Sequence, residues 1–199
     1  MIAIIDYGMG NLRSVHKAFE AVGAQVQVTH TVADIIKADK VVLPGVGAMG
    51  PAMQKLQELG LDGPIRRVIK EGKPFLGICL GLQLLFEKSS EGGFSEGLRI
   101  LEGNVERFSA LKVPHMGWNQ VQIQPVGNQI FSGLTKDENV YFCHSYFVKP
   151  KDASIAAAIT NYGVDFVSAI VKGNIWGVQF HPEKSQKAGL QILRSFAQL

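Results

Sequence analysis

The run Phe75-Leu76-Gly77-Ile78-Cys79-Leu80-Gly81-Leu82-Gln83-Leu84-Leu85-Phe86 joins an apolar strand pattern to a helical one through a turn with a glycine on either side of a cysteine. Gly77-Ile78-Cys79-Leu80-Gly81 has the layout of a nucleophile elbow, G-x-S-x-G with Cys in place of Ser. Such a turn strains the backbone at its centre, and flanking residues without a Cβ relieve the crowding. The following segment, residues 80–88, reads as a helix whose positive end favours thiolate over thiol at Cys79. A structural cysteine buried beside close-packing glycines fits the same residues.

Working outward, strand and helix alternate through the first half. Residues 2–6 form a short apolar strand, and residues 11–22 carry Leu12, Val15, Phe19 and Val22 at helical spacing before Gly23. Residues 25–29, 40–43 and 74–78 read as strands. Residues 32–38, 52–59 and 65–71 read as helices. The alternation predicts an α/β fold with an open, mostly parallel sheet and helices on both faces. Beyond residue 100 the pattern changes to strand-like stretches at 104–108, 119–124, 140–143, 154–160, 164–171 and 175–180. These are expected as antiparallel additions to one core, closed by a helix over 185–197.

With 199 residues, 46% hydrophobic and 19% charged, the chain suits one globular domain over residues 1–199. Its net charge of +3 is spread along the sequence, which leaves no electrostatic footprint for nucleic acid or an anionic membrane. The N-terminal apolar run lacks a basic start and ends on Asp6, so it reads as a first strand and not a signal peptide. No run approaches the roughly 20 residues of a bilayer span. Two cysteines, Cys79 and Cys143, provide no disulfide framework and favour a reducing cytoplasm.

A nucleophilic cysteine needs a base. In Gln179-Phe180-His181-Pro182-Glu183, extended geometry puts Gln179, His181 and Glu183 on one face, and Pro182 biases His181 towards that geometry. Glu183 can then orient the imidazole and stabilise its protonated form, as the third member of a triad does. An ordinary surface His and Glu is the alternative for this tripeptide by itself, and the elbow tips the balance. His16 and His30 read as surface residues, and His115 as a contact residue and not a catalytic one. No cluster has metal-ligand spacing, and no cofactor is expected. Gly45, Gly47 and Gly50 match G-x-G-x-x-G, but they follow the third strand and lack the answering acid at the end of the next strand. A dinucleotide loop is therefore not expected.

The elbow, Gln83 one turn further on, and the distant His181-Pro182-Glu183 together resemble the class I (triad) glutamine amidotransferases. The stretches IIDYGMGNLRSV (4–15), LPGVGAMG (43–50), PHMGWN (114–119), FCHSY (142–146) and GVQFHPEKS (177–185) extend the resemblance over nearly the whole chain, to a branch that serves a synthase of histidine biosynthesis. The resemblance implies a flavodoxin-like domain in which Cys79, His181 and Glu183 hydrolyse glutamine through a cysteinyl thioester. It implies an oxyanion hole from the backbone of Leu80 and a reorienting Gly45-Val46-Gly47 turn. It also implies that Gly45, Gln83 and the backbone of His144, Ser145 and Tyr146 hold the substrate. Ammonia would pass to a (β/α)₈-barrel cyclase subunit docked against Asn11, Arg13, Met116, Trp118 and Lys184; each of these residues also has an ordinary reading, as solvated charge or core. Cys143 stands where a plain apolar residue is more usual in the family. Two other readings remain open at this point: a γ-glutamyl hydrolase or another synthase's glutaminase on the same fold, and a non-catalytic nucleotide-binding module.

Overall fold

The computed structural model describes residues 1–109, 111–127 and 129–199. Four-residue apolar runs and amphipathic stretches alternate as β1 (Ile2–Ile5), α1 (Leu12–Ala21), β2 (Val26–Thr29), α2 (Val32–Lys37), β3 (Lys40–Leu43), α3 (Met49–Glu58), α4 (Asp62–Lys70) and β4 (Phe75–Ile78). β1 lies between β2 and β3, β3 also pairs with β4, and all these pairs are parallel. Every residue of β1 and β4 is buried, because helices cover both faces of the sheet. Alternate residues of β1 enter separate cores. Ala3 and Ile5 join the side chains of α2, α3 and α4, while Ile2 and Ile4 join those of α1 and the C-terminal helix.

The second half continues as α5 (Leu80–Gln83), β5 (Lys88–Ser89), β6 (Ser95–Glu96), β7 (Gly103–Arg107), β8 (His115–Ile123), β9 (Asp137–His144), β10 (Tyr146–Pro150), β11 (Ala156–Asn161), β12 (Asp165–Lys172), β13 (Ile175–Val178) and α6 (Gln186–Ala197). One sheet runs β2-β1-β3-β4-β13-β12-β10-β7-β5-β6, with β11 branching from β12 and leading through β8 to β9. β13 is the pivot, since it pairs with β4 in parallel and with β12 in antiparallel fashion. The parallel block with antiparallel additions is the architecture that the alternation predicts.

Four local expectations are corrected. The helix expected over 80–88 is a single turn, because the carbonyls that would continue it are taken by the returning segment: Leu98 N–H binds the Leu84 carbonyl, Ile100 and Leu101 bind that of Leu85, and Arg99 binds that of Phe86. The strand expected at 154–160 opens instead as a 3₁₀ turn, Ala153–Ile155, before β11. β10 had no counterpart in the sequence reading, while β8 and β9 are longer than their alternating cores. α3 begins at Met49, directly after the glycine turn.

Candidate active site

Three adjacent parallel strands, β3, β4 and β13, end at the same edge of the sheet. Gly77 is in register with Leu43 on one side and Gly177 on the other. Their carboxyl ends deliver, side by side, the Gly45–Gly47 turn, the Cys79 elbow and His181. An open parallel sheet concentrates ligand chemistry at this edge.

Cys79 has φ 55° and ψ −109°, a conformation that costs an L-residue free energy. Its N–H is held by the Val178 carbonyl at 2.8 Å. The flanking glycines are sterically required: a Cβ on Gly77 would sit 2.7 Å from the Gly81 carbonyl oxygen, and one on Gly81 would overlap the Leu43 carbonyl. The elbow is thus wedged between β3 and its own following turn. With only one turn of helix after it, Cys79 gains less from a helix dipole than a longer helix would provide.

His181 is buried, and its Nδ1 lies 2.8 Å from Glu183 Oε1, a side chain itself only 1% exposed. Burial alone would push the imidazole down. Hydrogen bonds with Cys79 and Glu183, reinforced by their negative charges, outweigh it and raise His181 to about 10. A protonated imidazole is the charge state that this environment favours at His181. The ring's backbone is braced from two sides: His181 N–H binds the Tyr141 carbonyl at 2.9 Å, and Ser185 Oγ donates to the His181 carbonyl at 2.7 Å.

The glycine turn stands in a specific state. Leu80 N–H, expected to face an oxyanion, instead donates to the Gly45 carbonyl at 3.3 Å. Gly47 has φ +95°, Val46 is 41% exposed, and Gly45 is packed so closely that a Cβ there would overlap the Tyr7 hydroxyl. That hydroxyl is buried without a hydrogen-bond partner among the described residues. Burial, followed by the nearby Cys79 charge, pushes its ionisation well above the ordinary tyrosine range. Sequence reasoning gave Tyr7 no place in the site.

An open cleft of about 500 Å³ brings together Val46, Gly47, Cys79, Leu80, Gln83 and His181 with His144, Ser145 and Tyr146. The polar groups are partly committed. Gln83 Nε2 donates to the Tyr146 carbonyl at 2.9 Å and to Gln179 Oε1 at 3.0 Å, which leaves Gln83 only its oxygen to offer a substrate. The Tyr146 carbonyl also accepts from His144, and that of Ser145 accepts from Phe108, so two carbonyls of the backbone expected to hold glutamine already serve donors of the protein. Glu91 adds a half-buried carboxylate to the cleft, raised by desolvation, of a charge suited to an ammonium group. It lies in a loop whose sequence carries no signal for the role. Cys143 lines the same cleft as Cys79.

His115 is not a surface contact; it is 3% exposed and bonded to His144. Its strand neighbours face outward, with Met116 61% and Trp118 50% exposed. Trp118 meets Tyr141 edge-on at 6.2 Å, and Lys184 Nζ lies 5.7 Å from the same ring. Because Lys184 also lines the cleft, this apolar and cationic patch adjoins the cavity of Cys79. Asn11 and Arg13 are exposed at the start of α1, where Asn11 caps the helix through Ser14 N–H. Among the described residues, no group of three or more His, Cys, Asp or Glu is placed to hold a metal, and no helix is long and apolar enough to cross a membrane.

The family model "Glutamine amidotransferase class-I" matches residues 3–198. The chain is 53% identical over 207 residues to the imidazole glycerol phosphate synthase subunit HisH of Syntrophotalea carbinolica, with all of both chains covered. It is 54% identical over 195 residues to the HisH subunit of Aquifex aeolicus, covering 97% of this chain and 94% of that one. Among solved structures, one described as a glutamine amidotransferase superposes with a TM-score of 0.78 at 16% identity over the whole of both chains. PurLQS from Thermotoga maritima superposes with a TM-score of 0.75 at 17% identity, over 98% of this chain and 96% of that one. These two likenesses concern the fold.

Proposed function

The chain belongs to the class-I glutamine amidotransferase family, and from that membership we propose how it works as the glutaminase subunit of imidazole glycerol phosphate synthase. The observation that carries the chemistry is a cysteine on a strained elbow facing a buried imidazole that is itself paired with a buried carboxylate. Cys79 thiolate attacks the side-chain carboxamide carbon of glutamine, and the carbonyl electrons move to oxygen. His181 gives its proton to the departing nitrogen as the C–N bond breaks, so that ammonia leaves and a glutamyl thioester remains. The now neutral imidazole takes a proton from water, which cleaves the thioester to glutamate and restores the thiolate–imidazolium pair. Glu183 holds the ring in orientation through Nδ1 and stabilises its charged form.

Leu80 N–H and an N–H of the Val46–Gly47 turn serve the oxyanion once the Gly45 carbonyl has left Leu80. The Gln83 oxygen and Glu91 are matched to donor and ammonium groups of glutamine. Ammonia set free in water would be protonated and lost as a nucleophile, so it passes directly to a synthase subunit. The partner in this proposal is a (β/α)₈-barrel cyclase of histidine biosynthesis, in the cytoplasm. It docks on Met116, Trp118 and Lys184 beside the cleft, with Asn11 and Arg13 extending the contact.

The closing test is Cys79→Ser in the reconstituted complex. Glutamine-dependent synthesis falls to background, while synthesis supplied with ammonium salts continues at the parent rate. Persistence of glutamine turnover would remove Cys79 from the mechanism. Loss of both activities would show that the variant had disturbed the complex itself.

A further inference from the structure

We propose that Gln179 is a further catalytic residue: its side-chain amide donates to the Cys79 sulfur, and a directed chain of buried hydrogen bonds keeps it aimed there. The inference rests on the reading of Cys79 as the nucleophile.

The direction of the chain follows from one group that can only accept, the Tyr146 carbonyl. It takes His144 Nδ1–H at 2.8 Å and Gln83 Nε2–H at 2.9 Å. Gln83 gives its second amide proton to Gln179 Oε1 at 3.0 Å. With its oxygen fixed in this way, Gln179 turns Nε2 to Cys79 Sγ, 3.7 Å away. Rotating the Gln179 amide by half a turn would set an N–H against the Gln83 amide and an oxygen against the sulfur, so both contacts oppose the exchange.

The imidazole arm is ordered by the same rule. Since His144 Nδ1 carries a proton and burial holds that ring neutral, pushed down to about 3, its Nε2 is a bare acceptor. His115 Nδ1, 2.9 Å away, must donate to it. Burial keeps His115 neutral as well, pushed down to about 4, and its own Nε2 accepts from Asn119 Nδ2 at 3.2 Å. His115 and Asn119 belong to β8, the strand whose opposite residues Met116 and Trp118 face solvent. The chain therefore starts on the strand that carries the exposed patch and ends on the sulfur.

Gln179 is wholly buried, and its backbone N–H is fixed on the Ser168 carbonyl at 2.9 Å. A rigid, dry N–H facing sulfur favours the anion over the thiol, because an anionic acceptor strengthens the hydrogen bond. It also restrains the sulfur's direction relative to the carboxamide carbon. Gln179 thus touches the reacting atom, whereas Gln83 acts through it as a positioning residue, and His144 and His115 brace the Tyr146 carbonyl that Gln83 also binds.

The test is iodoacetamide alkylation of Cys79 from pH 5 to 9, read by mass spectrometry in a Cys143→Ser background, alongside glutamine turnover in the reconstituted complex. Gln179→Met keeps side-chain length and removes the N–H. The acid limb of its alkylation profile moves to higher pH, and its kcat for glutamine falls roughly tenfold while KM holds. Gln179→Glu keeps the acceptor for Gln83, puts an oxygen against sulfur, and shifts the profile further in the same direction; it also serves as the reading should the methionine variant fail to fold. A folded variant whose alkylation profile overlays that of the parent would overturn the proposal. Should the profile shift as stated but the parent complex leave glutamine intact, it is the glutaminase reading that falls, and Gln179 remains the partner of a reactive cysteine.

Discussion

The Leu80 amide and the Gly45 carbonyl are bonded to each other at 3.3 Å, across the junction of the elbow and the glycine turn. The donor that the proposed mechanism assigns to the oxyanion is thereby spent on the chain. Losing one such donor typically costs about 10²- to 10³-fold in rate, so the purified subunit should turn over glutamine at least about 10²-fold more slowly than the complex with the proposed cyclase and its ligand. A steady-state glutaminase assay in the two states measures this. Equal rates would mean that the bond does not gate the reaction.

The exposed patch predicts a separable effect. Trp118→Ala removes a half-exposed aromatic that rests edge-on against Tyr141. Buried aromatic anchors commonly contribute about 2 kcal/mol or more to an interface, so if Trp118 lies in the proposed interface, the dissociation constant for the proposed cyclase should rise about 30-fold in a titration. The thermal midpoint of the free subunit should change little. An unaltered affinity would move the docking surface elsewhere.

Tyr7 predicts an effect opposite to that of most core substitutions. Its hydroxyl is buried and unpartnered, so Tyr7→Phe removes a desolvated polar group without opening a cavity. The free subunit should keep its stability or gain up to about 1 kcal/mol in urea denaturation. A loss of that size would reveal a bond that the hydroxyl makes in solution.

Three buried imidazoles set a pH optimum of stability. His115 and His144 are held at about 4 and about 3, below the ordinary 6.5, so below pH 6.5 the unfolded chain binds protons that the folded one refuses. Their contribution to stability therefore rises with pH up to about 6.5. His181 is raised to about 10, so its contribution is complete below 6.5 and is lost as the pH climbs towards 10. Together these groups place their maximum near pH 6.5. Urea midpoints measured from pH 4 to 9 should show it, with His144→Asn flattening the lower limb and His181→Asn the upper one.

What the sequence made legible was local. The glycines of the elbow announce themselves because the clash that they avoid lies within a few residues, at Gly77 against Gly81. The His181–Glu183 pairing was legible, though not by the route expected: β13 ends at Val178, and Glu183 reaches Nδ1 from a 3₁₀ turn, Pro182–Lys184, that follows an extended His181. The helix expected over 80–88 was not legible as a single turn, since its carbonyls are claimed by residues 97–101, which arrive from a separate segment. Tyr7 and Glu91 enter the site only through strand order and loop return, and neither residue type marks itself in its neighbourhood. The commitment of Gln83 to Gln179 likewise depends on β13 lying beside β4.

That placement has a consequence for how the protein comes into being. β13 sits inside the sheet between β4 and β12, yet it is translated after both of them, and Gln179 follows Cys79 by 100 residues. A nascent chain that has already emitted the first half displays Cys79 without His181 or Glu183 beside it. Closing so long a loop is slow relative to local pairing, so Cys79 gains its proposed partners late, as β13 slots in. A product interrupted before that strand also lacks His181 and Glu183, and on the proposed mechanism it should be inert towards glutamine.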